Sequence, residues 1–95
     1  MLYSWDAKKN RLNKSKHNLS FEEALGIFDG WTYDRIDDRE DYGEERVFAM
    51  GLLGHRVLVV IYVEHDGERR IISARKAKRH EESIFWQAKG IKTGN

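Results

Sequence analysis

The sequence predicts an α+β fold: an antiparallel β-sheet of three to four strands, with two N-terminal helices and one C-terminal helix. Three observations carry that prediction. Two early stretches place helix-starting residues ahead of helical spacing. Short strand-like runs fill the middle, separated by turn residues. A last amphipathic stretch stops at a glycine.

Asp6 to His17 reads as the first helix, with Asp6 as its N-cap. Leu12 is its single large apolar residue, so docking is expected through Trp5 and Leu12. The second helix is better specified. Ser20 and Glu23 have capping-box spacing, and Leu19 with Ala24 can form a hydrophobic staple. Phe21, Ala24, Leu25 and Phe28 fall on one helical face, and Gly30 is expected to end the helix in a left-handed conformation.

Trp31 to Ile36 reads as a short strand. Arg46 to Leu53 and Arg56 to Val63 are stronger strands, joined at Gly54-His55. Arg69 to Arg75 follows Asp66-Gly67, a two-residue hairpin signal. Because Val57 to Val63 is apolar on both faces, it should be the central strand. The third helix spans about Lys78 to Lys89, with Ala77, Ile84, Phe85 and Ala88 inward and Gly90 as its stop; residues 91–95 read as a frayed end.

Bulk properties narrow the function classes. Residues 1–95 fit a single domain. At 12% aromatic and 40% hydrophobic, the composition argues for a packed core. Without cysteine there is no disulfide framework and no cysteine zinc site. No apolar signal segment opens the chain, and the run Val57 to Val63 is too short to span a bilayer; a cytoplasmic location and no membrane partner are expected. Net charge is +1, but it is segregated. Lys8, Lys9, Arg11, Lys14 and Lys16 cluster early, acids dominate from Asp29 to Glu45, and Arg69 to His80 is basic with no acid. Two basic patches can hold a polyanion on one side, or they can be solvated faces.

Strand alternation puts Arg69, Ile71, Ser73 and Arg75 on one face. At the strand end, Arg75 can clamp a phosphate through parallel hydrogen bonds, or it can bridge to Glu81 or Glu45. None of His17, His55, His65 and His80 has metal-ligand spacing, so no metal site and no cofactor are expected. His17 ends the first helix, where it serves as a general acid or base, or as a cap. Asp37 to Glu45 lacks calcium-loop spacing and reads as a solvated loop or a contact for a basic partner. Neither a glycine-flanked serine elbow nor a phosphate-cradling glycine loop is present. Trp31 and Trp86 complete a core in the ordinary case and stack on bases if exposed.

Read in order, several segments resemble the BrnT toxin family. They are Trp5-Asp6, Lys9, Asn13, Lys16-His17 and Ser20-Phe21-Glu22-Glu23-Ala24, then Glu45-Arg46 with Gly51. Arg56-Val57-Leu58-Val59-Val60 with Tyr62, Arg70 to Ala77, and Glu81 continue the pattern. The resemblance covers Trp5 to Phe85 and departs from the family at Phe85, where many relatives carry tyrosine. It implies a RelE-like fold and a ribonuclease toxin of a type II toxin–antitoxin system. It further implies a BrnA-type ribbon-helix-helix antitoxin as partner, with operator DNA contacted only through that antitoxin.

Such an RNA-cutting mechanism needs no metal, because RNA supplies its own nucleophile, the 2′-hydroxyl. On this reading Arg46 and Arg75 stabilise phosphate charge. His17 is the acid or base, and Glu45 or Glu81 is a base or orients an arginine. Lys9, Lys16, Lys76 and Arg79 hold the RNA backbone. The alternative is a non-catalytic module that binds RNA or antitoxin and acts mainly as an operon co-repressor.

Overall fold

The computed structural model describes residues 1–39, 41 and 43–90, so the expected frayed end at 91–95 and Glu40 of the acidic stretch lie outside the described residues. In chain order the elements are β1 (Leu2–Ser4), α1 (Ala7–His17), α2 (Phe21–Ala24) running into a 3-10 helix (Leu25–Asp29), β2 (Tyr33–Asp37), β3 (Arg46–Leu53), β4 (Arg56–His65), β5 (Glu68–Lys76) and α3 (Arg79–Ala88).

The strands form one five-stranded sheet in the order β1-β5-β4-β3-β2. This corrects the expected three- to four-stranded antiparallel sheet with helices leading it. A strand comes first, and it joins β5 in parallel, with Leu2 opposite Glu68 and Ser4 opposite Arg70. Three residues are too few to show alternation, and β1 takes its extended form from a partner far along the chain. β4 is the central strand, as its two apolar faces require.

The local signals act as expected at most boundaries. Asp6 accepts hydrogen bonds from the Lys8 and Lys9 amides at 2.8 and 3.1 Å. Ser20 and Glu23 exchange capping-box bonds at 3.1 Å each. Asp66 and Gly67 both have positive φ, 52° and 78°, as a tight hairpin demands. Gly30 differs: at φ −127° it is extended, because the helix has already tightened into its 3-10 turn.

Leu12 does not dock α1; it is 60% exposed. Asn13 is the buried residue instead. Its carboxamide donates to Leu19 O at 2.9 Å and Ala74 O at 2.8 Å, and accepts from Ala74 N at 3.2 Å. β1 pairs only with the start of β5, so a side chain takes over the pairing of the strand beyond it. Asn18 turns the chain off the helix at φ 54°, a left-handed geometry asparagine accepts.

Two cores cover the two faces of the sheet. Leu19, Phe21, Ile27, Leu58, Val60 and Ile71 pack on the α1–α2 side. Phe48, Met50, Val57, Val59, Ile61 and Phe85 pack on the α3 side. A Cβ on Gly51 would stand 2.7 Å from Ile27 Cβ and 3.2 Å from Ile27 O, so the 3-10 helix lies directly on β3. In α3 the buried positions are Glu81 and Phe85. Ile84 and Ala88, expected inward, are exposed, because the inward line runs through a charged residue that an apolar pattern passes over.

One irregularity repositions the basic strand. Ile61 pairs with Ser73 while Tyr62 pairs with Ile71, so Ile72 is an extra residue, a β-bulge. The expected common face of Arg69, Ile71, Ser73 and Arg75 is therefore split. Arg69 lies over the Phe28 and Tyr62 rings, at 5.0 and 4.7 Å, on the α1–α2 side. Arg75 stands opposite Val59 on the α3 side.

Candidate active site

On the α3 side the hydrophobic filling stops short of one end, and a cleft of about 440 Å³ opens there. Its walls come from β2, from Phe48 on β3, from the end of β5 and from the first turn of α3. Each strand contributes by alternation: Arg35 and Asp37 point where Phe48 and Arg46, their cross-strand partners, point.

Arg75 is the best-fixed cation. Nη1 and Nη2 donate to the two Glu81 oxygens at 2.7 and 2.9 Å, a bidentate pair. Its side chain stays 24% exposed while that of Glu81 is 9% exposed, so the guanidinium faces the cleft and the carboxylate lies behind it. Glu81 also accepts from the Lys78 amide at 2.8 Å, capping α3. The Arg75 guanidinium is the main cause holding the Glu81 carboxyl down to about 2, helped by the Lys78 amide and by nearby His80 against the opposing effect of burial. A carboxylate held so low is a poor proton acceptor at neutral pH, and its two-point bond fixes the plane of the Arg75 guanidinium. The pair uses two of the five guanidinium N–H donors and a long bond from Nη1 to Lys76 O, 3.4 Å, a third, which leaves two for a phosphate.

A second pair faces it across the cleft. Arg39 donates from Nε and Nη2 to the Asp37 oxygens at 2.7 and 2.9 Å. Asp37 is buried, the exception in its stretch: Asp38, Asp41, Glu44 and Glu45 are exposed, as a solvated loop is. Its carboxyl is held below the ordinary range by Arg39 first and, more distantly, by Arg46. Arg35 rests 4.6 Å above the Phe48 ring, and Lys78 and His80 line the α3 wall.

The expected site residues divide between the two faces. Arg75 and Glu81 meet in the cleft. Arg46 borders it beside Asp37, half-buried, with Nε 3.9 Å from Glu44 Oε1. Glu44 binds Arg70 at 3.0 Å as well, whereas Glu45, one residue on, turns to the other face and lines a hollow with Asp34, Tyr62 and Glu64. His17, Lys9 and Lys16 are exposed on α1 and are not among the cleft-lining residues. Arg79 is exposed at the start of α3, and Lys76 is exposed opposite Leu58, toward the α1–α2 side.

Sequence reasoning passed over Arg35, Asp37, Arg39, Lys78 and His80. A signal existed for the last two. Glu81 stands at the third position after Lys78, as in a capping box, and that spacing turns Lys78 to Glu81 back toward Arg75. Among the described residues no group of three or more His, Asp and Glu side chains is placed to hold a metal ion. No helix among them is long and apolar enough to cross a membrane.

No curated protein matches the chain. The family model described as "Ribonuclease toxin, BrnT, of type II toxin-antitoxin system" matches residues 5–81. That span runs from Trp5, before α1, to Glu81 in the cleft, and so takes in β2 to β5 and every cleft-lining residue. The chain belongs to the BrnT family of ribonuclease toxins of type II toxin–antitoxin systems.

Proposed function

We propose that this toxin cuts RNA without a metal ion, in the cleft between β2 and α3, by attack of a 2′-hydroxyl on its own neighbouring phosphate. The observation that carries this is the shared cleft of the oriented Arg75 fork and the His80 imidazole. Arg75, with Arg46 and Arg39 at the border, balances the charge that builds on the phosphoryl oxygens. His80 takes the proton from the 2′-oxygen, the role first expected of His17, since imidazole can exchange a proton at neutral pH. As the new P–O2′ bond forms, the P–O5′ bond breaks, and Lys78 supplies the proton to the leaving oxygen. The products are a 2′,3′-cyclic phosphate and a 5′-hydroxyl. Glu81 positions Arg75 and exchanges no proton. Its partner is a BrnA-type ribbon-helix-helix antitoxin that blocks the cleft's activity and carries the complex to operator DNA; the support is the type II family membership.

The test is cleavage of a labelled RNA in excess chelator, followed by analysis of the ends. Cyclic-phosphate ends are expected, with rates lowered by on the order of 10²-fold or more in His80→Ala and Arg75→Ala. Wild-type rates in both variants, or activity lost on chelation, would sink the assignment. A chain that binds RNA but cuts nothing would restore the non-catalytic co-repressor.

A further inference from the structure

The cleft does not use the large aromatic surface beside it. Trp31, two residues before β2, is 46% exposed. Its ring tilts against Phe85, with centroids 5.5 Å apart and planes at 51°. Phe85 is fully buried and meets Trp86 edge-on at 5.1 Å, so Trp31 is backed by a ring that has no room to move. The Lys89 ammonium stands 5.3 Å from the Trp31 centroid.

Two elements tie this ring to the cleft. Phe85 follows Glu81 by about one turn of α3. On the facing wall, β2 leads from Trp31 to Arg35, a cleft residue, and the chain between them spans at most about 14 Å. Arg35 itself stacks over Phe48, presenting a flat cation on the way. Single exposed apolar residues are common on protein surfaces. This one is a rigidly backed indole with a cation over its ring, joined by the start of β2 to a cleft that Arg35, Arg75 and Lys78 line.

We propose that Trp31 is a stacking platform for an unpaired base of the RNA strand whose phosphate enters the cleft, the base replacing the Lys89 ammonium over the ring and Lys89 turning to the same nucleotide's phosphate. This rests on the reading that the cleft takes RNA. Every base has a π-face, so the platform selects single strands over duplex and tolerates different sequences. It binds a flanking nucleotide and takes no part in proton transfer.

The probe is a single-stranded 2′-O-methyl oligonucleotide of about eight residues, which lacks the attacking hydroxyl, titrated against the full-length protein over a range of salt. Trp31→Leu keeps apolar packing on Phe85 but removes the π-face, and it should weaken binding roughly 10- to 100-fold with an unchanged melting temperature. Trp31→Phe should stay within a few-fold of wild type. The slope of log affinity against log salt should be the same for Trp31→Leu and wild type, because no phosphate contact is lost, and shallower for Lys78→Ala. In a base-paired probe the Trp31 dependence should vanish.

Unchanged binding by Trp31→Leu overturns the platform, as does equal loss in the Leu and Phe variants. So does a loss confined to antitoxin binding, which would mark the ring as a protein contact. The two readings fail separately. Normal RNA cutting with Trp31-independent binding removes the platform and leaves the mechanism; Trp31-dependent binding without any cutting does the reverse.

Discussion

The two faces of the sheet are held by different chemistry. On the α1–α2 side, Phe21, Ile27, Leu58 and Val60 interlock, and the buried polar group there, Asn13, is neutral. On the α3 side, the packing of Phe48, Val59 and Phe85 gives way at one end to the guanidinium–carboxylate pairs Arg75–Glu81 and Arg39–Asp37. Close packing sets the first face; charge pairing sets the cleft end of the second. That difference teaches where stability and activity should separate. Damage to the first face should unfold the protein, and damage to the second should silence it.

The strongest test of that separation is Arg75→Ala. Cleavage should fall by on the order of 10²–10³, about 3–4 kcal/mol of transition-state stabilisation. The same change leaves the buried Glu81 carboxylate without its main partner, so the melting temperature should fall too. The double variant Arg75→Ala, Glu81→Gln should regain most of the melting temperature and none of the cleavage. If cleavage returned with stability, Arg75 would be a structural residue.

Next in size are the changes to the other face. Asn13→Ala orphans the Ala74 amide and carbonyl, and Gly51→Ala forces a methyl against Ile27; each should cost about 1–3 kcal/mol. For a domain of this size, that lowers the melting temperature by roughly 4–8 °C per kcal/mol. Cleavage well below the transition should stay within a few-fold of wild type in the Gly51 variant. A fall in rate there with a normal melting temperature would break the division between faces.

Two carboxylates sharpen the comparison, because both are held at about 2 against an ordinary 4.5, one on each side. Glu23 owes this first to the Ser20 amide, then to Lys14; Glu81 owes it to Arg75. In both cases the folded value lies below the unfolded one. The stability each confers is therefore complete above about pH 4.5 and is lost as pH falls from there toward 2. Glu23→Gln and Glu81→Gln should each flatten the acid limb of stability in that window. Only Glu81→Gln should also slow cleavage, by loosening Arg75. Equal effects on cleavage would deny Glu81 its positioning role.

The smallest effects should come from α1. Lys9→Ala, Lys16→Ala and His17→Ala lie outside the cleft and should change stability by less than about 0.5 kcal/mol. Their cleavage rates should remain within a few-fold of wild type. A hundredfold loss in His17→Ala would return the proton-transfer role to α1.

Much of this layout is legible from local signals. β3 keeps its expected bounds, and Asp6, Ser20 with Glu23, and Asp66-Gly67 act where their chemistry places them. What escaped depends on distant partners. β1 is extended because β5 is there to pair with it, and Asn13 is buried because an open strand edge needs its amide. The bulge at Ile72 leaves no mark in the alternation, yet it sends Arg69 and Arg75 to opposite sides. In the site, the pairing of Arg75 with Glu81 is readable from their spacing, whereas nothing in the sequence sets Asp37 apart from the other acids of its loop; its burial against Arg39 does.

The parallel strand has a further consequence, in time. Leu2–Ser4 is made well before its partner, Glu68–Arg70, with β2, β3 and β4 between them. Domains fold as units as synthesis proceeds, at roughly 5–20 residues per second. Pairings so distant in the chain are slow to form. The sheet therefore closes only when Arg75, His80 and Glu81 are themselves being made. The edge of the sheet and the arginine fork of the cleft are thus completed in the same stretch of synthesis.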